Sequence, residues 1–332
     1  MELMRRLITE FPDQIRDAHR ITSSTPIDFG DFAPAQVLIL GMGGSGISGV
    51  IASKMLAGTA RVPIAANADY AIPAWVGPQT LVVACSYSGN TEETLIALDA
   101  AVAAGARVAA ITSGGQLGAR AADAAWPTVK IPGGQPPRSQ FGYAFTCVMH
   151  VLHAAGLVPE EVHEDFAGLG DFLAAGQAGA IERAAQVADV LEDRRVWLYS
   201  DAAQEGLITR WRQQLNENSK LLVTHHVFPE MNHNELVGWE SGSEDDVAVI
   251  IQMPEDHPRS RMRMDICTEI FQVRGADVVI LEPEGDTALQ RFFDAVAVGD
   301  WLSLLLAERS EVDPVDIRNI DHLKGELGKV PF

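Results

Sequence analysis

A chain of 332 residues with 47% hydrophobic content can bury a large core, enough for one large or two medium α/β domains. Its formal charge of −20 repels nucleic acid and anionic membranes, so any phosphate site has to be locally positive. The three cysteines, Cys85, Cys147 and Cys267, are odd in number and far apart, which argues against a disulfide framework and a CxxC metal site and makes the cytoplasm the default compartment.

Residues 1–25 read as a helix packed outside a first sheet, and Glu2, Arg5, Arg6 and Glu10 leave no signal-peptide h-region there. Strands are predicted near 37–40, 62–66, 81–85, 107–111 and 128–131, separated by helical patterns such as Thr91–Ala104. Residues 157–193 read as connecting helices. A second alternation starts at Arg195–Ser200, continues through Asp246–Ile251 and Asp277–Leu281, and ends in long helical runs. The apolar run Trp301–Ala307 is bounded by Asp300 and Glu308, far short of the roughly 20 residues of a membrane span. The pattern predicts two tandem doubly wound parallel sheets flanked by helices, the first within 1–156 and the second within 157–332.

Two small-residue loops stand out, Gly41-Met-Gly-Gly-Ser-Gly-Ile-Ser-Gly49 and Ser86-Tyr-Ser-Gly-Asn-Thr91. Each follows an apolar strand and opens a helical pattern. Loops after parallel strands gather at the carboxyl edge of the sheet, and free N–H groups at helix starts attract anions. The hydroxyls of Ser86, Ser88 and Thr91, with Gly44 and Ser45 in the first loop, complete a candidate phosphate cradle. The second loop has no Walker lysine, so it is not a nucleotide P-loop. Gly41-Met-Gly43-Gly-Ser-Gly46 also satisfies G-x-G-x-x-G, with Asp69 at a distance suited to a ribose hydroxyl. A dinucleotide site, however, needs no second loop of hydroxyls, and Asp69 falls beyond the expected strand end.

Gly-Met-Gly-Gly-Ser-Gly, Ser-Tyr-Ser-Gly-Asn-Thr-Glu-Glu-Thr94, Pro136-Pro-Arg138 and Pro229-Glu-Met-Asn-His-Asn-Glu235 occur in this order. Together they resemble the bifunctional phosphoglucose/phosphomannose isomerases of the sugar-isomerase (SIS) superfamily, over almost the whole chain. The hydroxyl loop alone indicates only a SIS domain, which sugar-phosphate-sensing regulators and amidotransferases also have. The Pro-Glu-x-Asn-His-Asn-Glu segment and the Leu323-Lys324 ending narrow it. The resemblance implies two SIS-type, flavodoxin-like subdomains and an aldose–ketose isomerase that needs no cofactor or metal. Its substrates are expected to be hexose 6-phosphates, and its form an obligate homodimer.

Moving a carbonyl between C1 and C2 of a hexose phosphate requires ring opening, a base for a carbon-bound proton, and stabilisation of a cis-enediolate. A carboxylate in a partly desolvated site suits the base role. Glu217, at the end of the first helix of the second half, matches the family's base, although without the resemblance it reads more readily as an exposed helix-end carboxylate. His233 matches the histidine that opens the ring, and the resemblance brings it from the neighbouring subunit; imidazole suits that proton transfer near neutral pH. Arg138, after two prolines, reads as a rigidly presented guanidinium for the enediolate oxygens, or else as a surface ion pair. The resemblance folds the C-terminal helix over the site and places Lys324 near the ring-opening end.

His225, His226, Glu230, His233 and Glu235 form a candidate metal cluster, but their spacing fits no standard ligand pattern. His150 and His153 read as interface or core-edge residues. Two alternatives remain: an isomerase for another sugar phosphate, and a non-catalytic SIS regulator, for which no helix-turn-helix extension or basic patch is visible. In the family a threonine near the C-terminal lysine helps tolerate both configurations at C2, and Asp313–Ile320 contains none.

Overall fold

The computed structural model describes residues 1–330, and among these nine strands form two wholly parallel sheets. The first half holds α1 (Glu2–Thr9), α2 (Phe11–Ser24), β1 (Gln36–Leu40), α3 (Gly43–Met55), β2 (Ile64–Asn67), β3 (Thr80–Cys85), α4 (Glu92–Ala103), β4 (Arg107–Thr112), α5 (Gly115–Asp123), β5 (Thr128–Lys130) and α6 (Phe141–Ala154). Helices α7 (Glu160–Glu164) and α8 (Phe166–Leu191) lead to β6 (Arg195–Asp201), α9 (Glu205–Asn218), β7 (Val223–Phe228), α10 (Glu235–Gly238) and β8 (Asp246–Ile251). The chain continues through α11 (Pro258–Val273), β9 (Asp277–Leu281), α12 (Ala288–Arg309) and α13 (Arg318–Leu327).

The sheet orders are β2-β1-β3-β4-β5 and β7-β6-β8-β9, so each has a point where the strand order reverses, between β1 and β3 and between β6 and β8. Crevices for ligands open at the carboxyl ends of strands at such points. Every residue of β3 and of β8 is buried, as expected for a parallel sheet covered on both faces.

Period-two alternation divides the core. Val37, Ile39, Leu81 and Val83 of the first sheet share one cluster with Val196, Leu198, Val247 and Val249 of the second, through helices α1, α2, α3, α6, α8, α9 and α12. The intervening residues Leu38, Leu40, Val82 and Ala84 pack on α4 and α5, while Ala248 and Ile250 pack on Phe228, Trp239 and α11. The two sheets thus share a central helical layer. Its middle is aromatic, with Phe141, Phe145 and Phe293 at ring separations of 5.4–5.9 Å.

Two elements differ from the sequence expectation. Residues 1–25 form two helices, broken at Glu10 ahead of Pro12, and α2 packs on α6 and α8 inside the helical layer. Strand β7 was not anticipated; it is the edge of its sheet, and its polar centre, Thr224-His-His226, hides the strand pattern. Helix α13 has no buried residue, and its first turn, Arg318, Asn319 and Ile320, lines a cleft together with Glu217. Among the described residues, no helix is long and apolar enough to cross a membrane.

Candidate active site

The two glycine and hydroxyl loops meet at the carboxyl edge of the first sheet. The Tyr87 amide donates to Ser45 Oγ at 3.1 Å, and the Ser86 and Thr91 hydroxyls lie 2.9 Å apart. Ser88 Oγ accepts from the Asn90 amide at 3.2 Å. Gly89, at φ +70°, lets the second loop turn tightly against Gly114, a conformation that L side chains rarely adopt. Neither α3 nor α4 has a side-chain cap at its N-terminus, so the Gly43 and Gly44 amides of α3, whose Ser45 amide bonds Met42, and the first-turn N–H groups of α4 are left as donors beside these hydroxyls.

The cradle is continuous with Arg138. A Cβ on Gly44 would lie 3.0 Å from the Pro137 carbonyl and 3.1 Å from Arg138 Cα, so only glycine lets the first loop come this close. Arg138 is 5% exposed. Its Nε donates to Asn218 Oδ1 at 2.7 Å, its Nη1 to Glu217 Oε2 at 3.2 Å, and its Nη2 to the Pro314 carbonyl. Burial lowers the guanidinium's pKa from its ordinary value, and the Glu217 and Asp313 carboxylates oppose that shift.

Glu217, with its side chain 30% exposed, faces a cleft of about 720 Å³ lined also by Lys220, Asp313, Asp316 and Ile317. Lys220 donates to the Glu217 carbonyl at 2.6 Å. Its pKa is lowered, first by burial and then by the Arg138 charge. Lys220 and Asn218 were not singled out in the sequence. Both flank Glu217 in Asn216-Glu-Asn-Ser-Lys220, but nothing in that polar run distinguishes them from helix-end residues.

Below the site, Asp300 of α12 accepts two hydrogen bonds from Arg210 at 2.8 and 2.7 Å and one from Gln214 at 2.6 Å. Burial raises the Asp300 pKa against the pull of Arg210. Arg210 also lies over the Phe141 ring at 4.5 Å and donates to the Arg138 carbonyl at 3.4 Å. This buried pair holds α9 on α12 and carries the loop of Arg138.

The remaining candidates lie elsewhere. Helix α9 returns from the carboxyl edge of the second sheet and ends, at Glu217, beside that sheet's amino edge, where β7 begins. His233 follows the far end of β7, so about 17 Å of strand lies between the two residues within one chain. His233 is exposed, and so is Lys324 on α13; neither side chain makes a hydrogen bond or ion pair among the described residues. Among the five side chains of the candidate metal cluster, His225 is within 3.1 Å of Thr209 Oγ1, His226 Nδ1 accepts from the Val227 amide, Glu230 from Asn234, and Glu235 from the Tyr199 hydroxyl. Asp69, the candidate ribose ligand, accepts from the neighbouring Tyr70 amide at 2.6 Å, past the end of β2.

Residues 180–327 match the family described as "Bacterial phospho-glucose isomerase C-terminal SIS domain". The bifunctional phosphoglucose/phosphomannose isomerase of Caldicellulosiruptor bescii is 33% identical to this chain over 333 residues, covering 97% of this chain and 98% of its own. The chain belongs to that family. The enzyme of the same name from Aquifex aeolicus is 33% identical over 88% of this chain and 90% of its own. In fold, the C-terminal domain of glucosamine-fructose-6-phosphate aminotransferase from Francisella tularensis superimposes with a TM-score of 0.73 over 94% of this chain and 97% of that one, at 13% identity. The family model covers the second sheet, and the full-length relatives extend the family match across both.

Proposed function

We propose that this protein is a homodimeric aldose–ketose isomerase of the cytoplasm that interconverts glucose 6-phosphate and mannose 6-phosphate with fructose 6-phosphate. The observation that carries this reading is the Arg138–Glu217 pair, 3.2 Å apart beside the hydroxyl-lined cradle, in a chain that aligns along its length with enzymes of this name.

In this mechanism the sugar's phosphate sits against Gly44, Ser45, Ser86, Ser88 and Thr91 and the uncapped starts of α3 and α4. That anchor sets C1 and C2 before Glu217, which takes the proton from one carbon and returns it to the other. The oxygens of the cis-enediolate gain negative charge as the proton leaves. The Arg138 guanidinium, already desolvated and held in place, meets that charge without reorganising. Ring opening falls to His233, supplied by the second copy because strand β7 separates it from Glu217 in its own chain. Lys324 serves the ring oxygen from α13, whose first turn already lines the cleft beside Glu217.

The test is a coupled assay on EDTA-treated protein supplied with fructose 6-phosphate, with glucose 6-phosphate and mannose 6-phosphate detected separately. Formation of both products is the expected result. Glucose 6-phosphate alone would tie epimer tolerance to the threonine that segment 313–320 lacks. No product would overturn the reading.

A further inference from the structure

We propose that Asn218 and Ser303 act as positioning residues, a hydrogen-bonded relay that fixes the plane of the Arg138 guanidinium so that Nη1 stays aimed at Glu217. The proposal rests on the isomerase reading for its consequence in turnover, but not for its geometry.

A guanidinium is planar, so anchoring one nitrogen and one further edge determines where the last edge points. In Arg138 the two anchors are Nε on Asn218 Oδ1 and Nη2 on the Pro314 carbonyl, and Nη1 is the edge left for Glu217. Asn218 and Ser303 are each 0% exposed, so water does not compete for either.

The polarity of the relay is forced from its inner end. The Asp300 backbone carbonyl can only accept, and Ser303 Oγ donates its one proton to it at 2.7 Å. The lone pairs of that oxygen are then left for Asn218 Nδ2, which donates at 2.9 Å. An asparagine amide turned this way must present Oδ1 on its other side, and there it meets the Nε–H of Arg138. Reversed, the amide would set an N–H against an N–H. Ser219 Oγ donates to the Ser303 carbonyl at 2.6 Å and joins the end of α9 to α12. The relay therefore stands on two packed helices rather than on loops, the setting in which a site is held most closely.

The relay touches no part of the phosphate cradle, so its loss should lower turnover and leave substrate affinity nearly unchanged. The experiment uses full-length protein labelled with 15N-arginine. The Arg138 Nε–H resonance is assigned by its absence in Arg138→Lys and is expected to exchange slowly with water in the wild type. In Asn218→Ala that resonance should exchange fast, and kcat on fructose 6-phosphate should fall about 30-fold with KM within about threefold, the range seen when an outer support of a site is removed. Ser303→Ala, which frees the amide to turn, should give a smaller loss of about tenfold with the same split.

A protected Nε–H in Asn218→Ala, or a KM that rises as far as kcat falls, would overturn the relay. If Asn218→Ala does not fold, Ser303→Ala decides by the same two readouts, and an unchanged spectrum and kcat would overturn it. A wild type without isomerase activity would overturn the functional reading alone, since the exchange of the Arg138 Nε–H judges the relay without turnover.

Discussion

The two sheets have the same strand order around their switch points, yet their carboxyl edges have opposite chemistry. After β1 and β3 the chain offers glycines, hydroxyls and the uncapped first turns of α3 and α4. After β6 and β8 it offers carboxylates. Asp201 accepts from the Ala203 amide at 2.9 Å, Glu205 pairs with Lys54 at 2.7 Å, and Asp256 accepts from the Met253 amide at 2.7 Å. Burial pushes the Asp256 carboxyl up to about 6. Amides that could greet an anion there are already occupied by carboxylates of the chain itself. Topology decides where a crevice opens, and the residues in it decide what enters. The second sheet contributes instead from its opposite edge, where α9 delivers Glu217.

The largest effect should come from removing that contribution. Glu217→Gln should lower kcat about a thousandfold or more while fructose 6-phosphate still binds, checked by turnover and calorimetry. Retained turnover would break the assignment of the base to the second sheet. Next in size is the support that both halves share. Arg210→Met leaves Asp300 buried without its cation and should lower stability by about 3–5 kcal/mol, read from the urea midpoint.

A smaller change separates the two carboxyl edges directly. Ser86→Ala should weaken fructose 6-phosphate and inorganic phosphate about tenfold, the worth of one hydrogen bond to a charged group, with kcat nearly unchanged. Ala203→Ser, in the loop after β6, should change neither affinity, and a gain in phosphate binding there would show that hydroxyls alone make the cradle.

The smallest effect belongs to a region remote from both edges. His153 and His163 stack at 3.9 Å, His150 lies 5.8 Å from His163, and His19, Glu160 and Glu164 face the group. Burial first, and neighbouring imidazoles second, hold His150 and His163 below their ordinary value of 6.5; for His153 burial acts against Glu160. The unfolded chain therefore binds protons before the folded one does as pH falls. Stability fully present above 6.5 should decline as pH drops through the lowered native values. The urea midpoint should fall between about pH 7.5 and about pH 5.5, and by less in His163→Phe. Equal declines in both proteins would place the acid sensitivity elsewhere.

Strands buried on both faces were legible from their continuous apolar runs, as Leu81–Cys85 and Asp246–Ile251 illustrate. Edge strand β7 was not, because Thr224, His225 and His226 interrupt its pattern and only pairing with β6 defines it. The cradle could be read locally, since each loop is contiguous in the chain. Arg138 and Glu217 are 79 positions apart, and only the packing of α9 against α12 and of Gly44 against Pro137 brings them together. Asn218 and Ser303 carried no signal at all, because a buried relay is written in three dimensions and its members are ordinary polar residues in sequence.

The direction of α9 has one more consequence. It sets Glu217 and His233 at opposite poles of the second sheet, so a chain that lacks one still owns the other. Glu217→Gln and His233→Ala proteins, each inactive alone, should complement when mixed and allowed to exchange subunits. Half of the resulting pairs would be hybrids with one intact composite site, so about a quarter of all sites should recover. Such rescue is open only to an enzyme whose working unit is divided between two copies of one sequence.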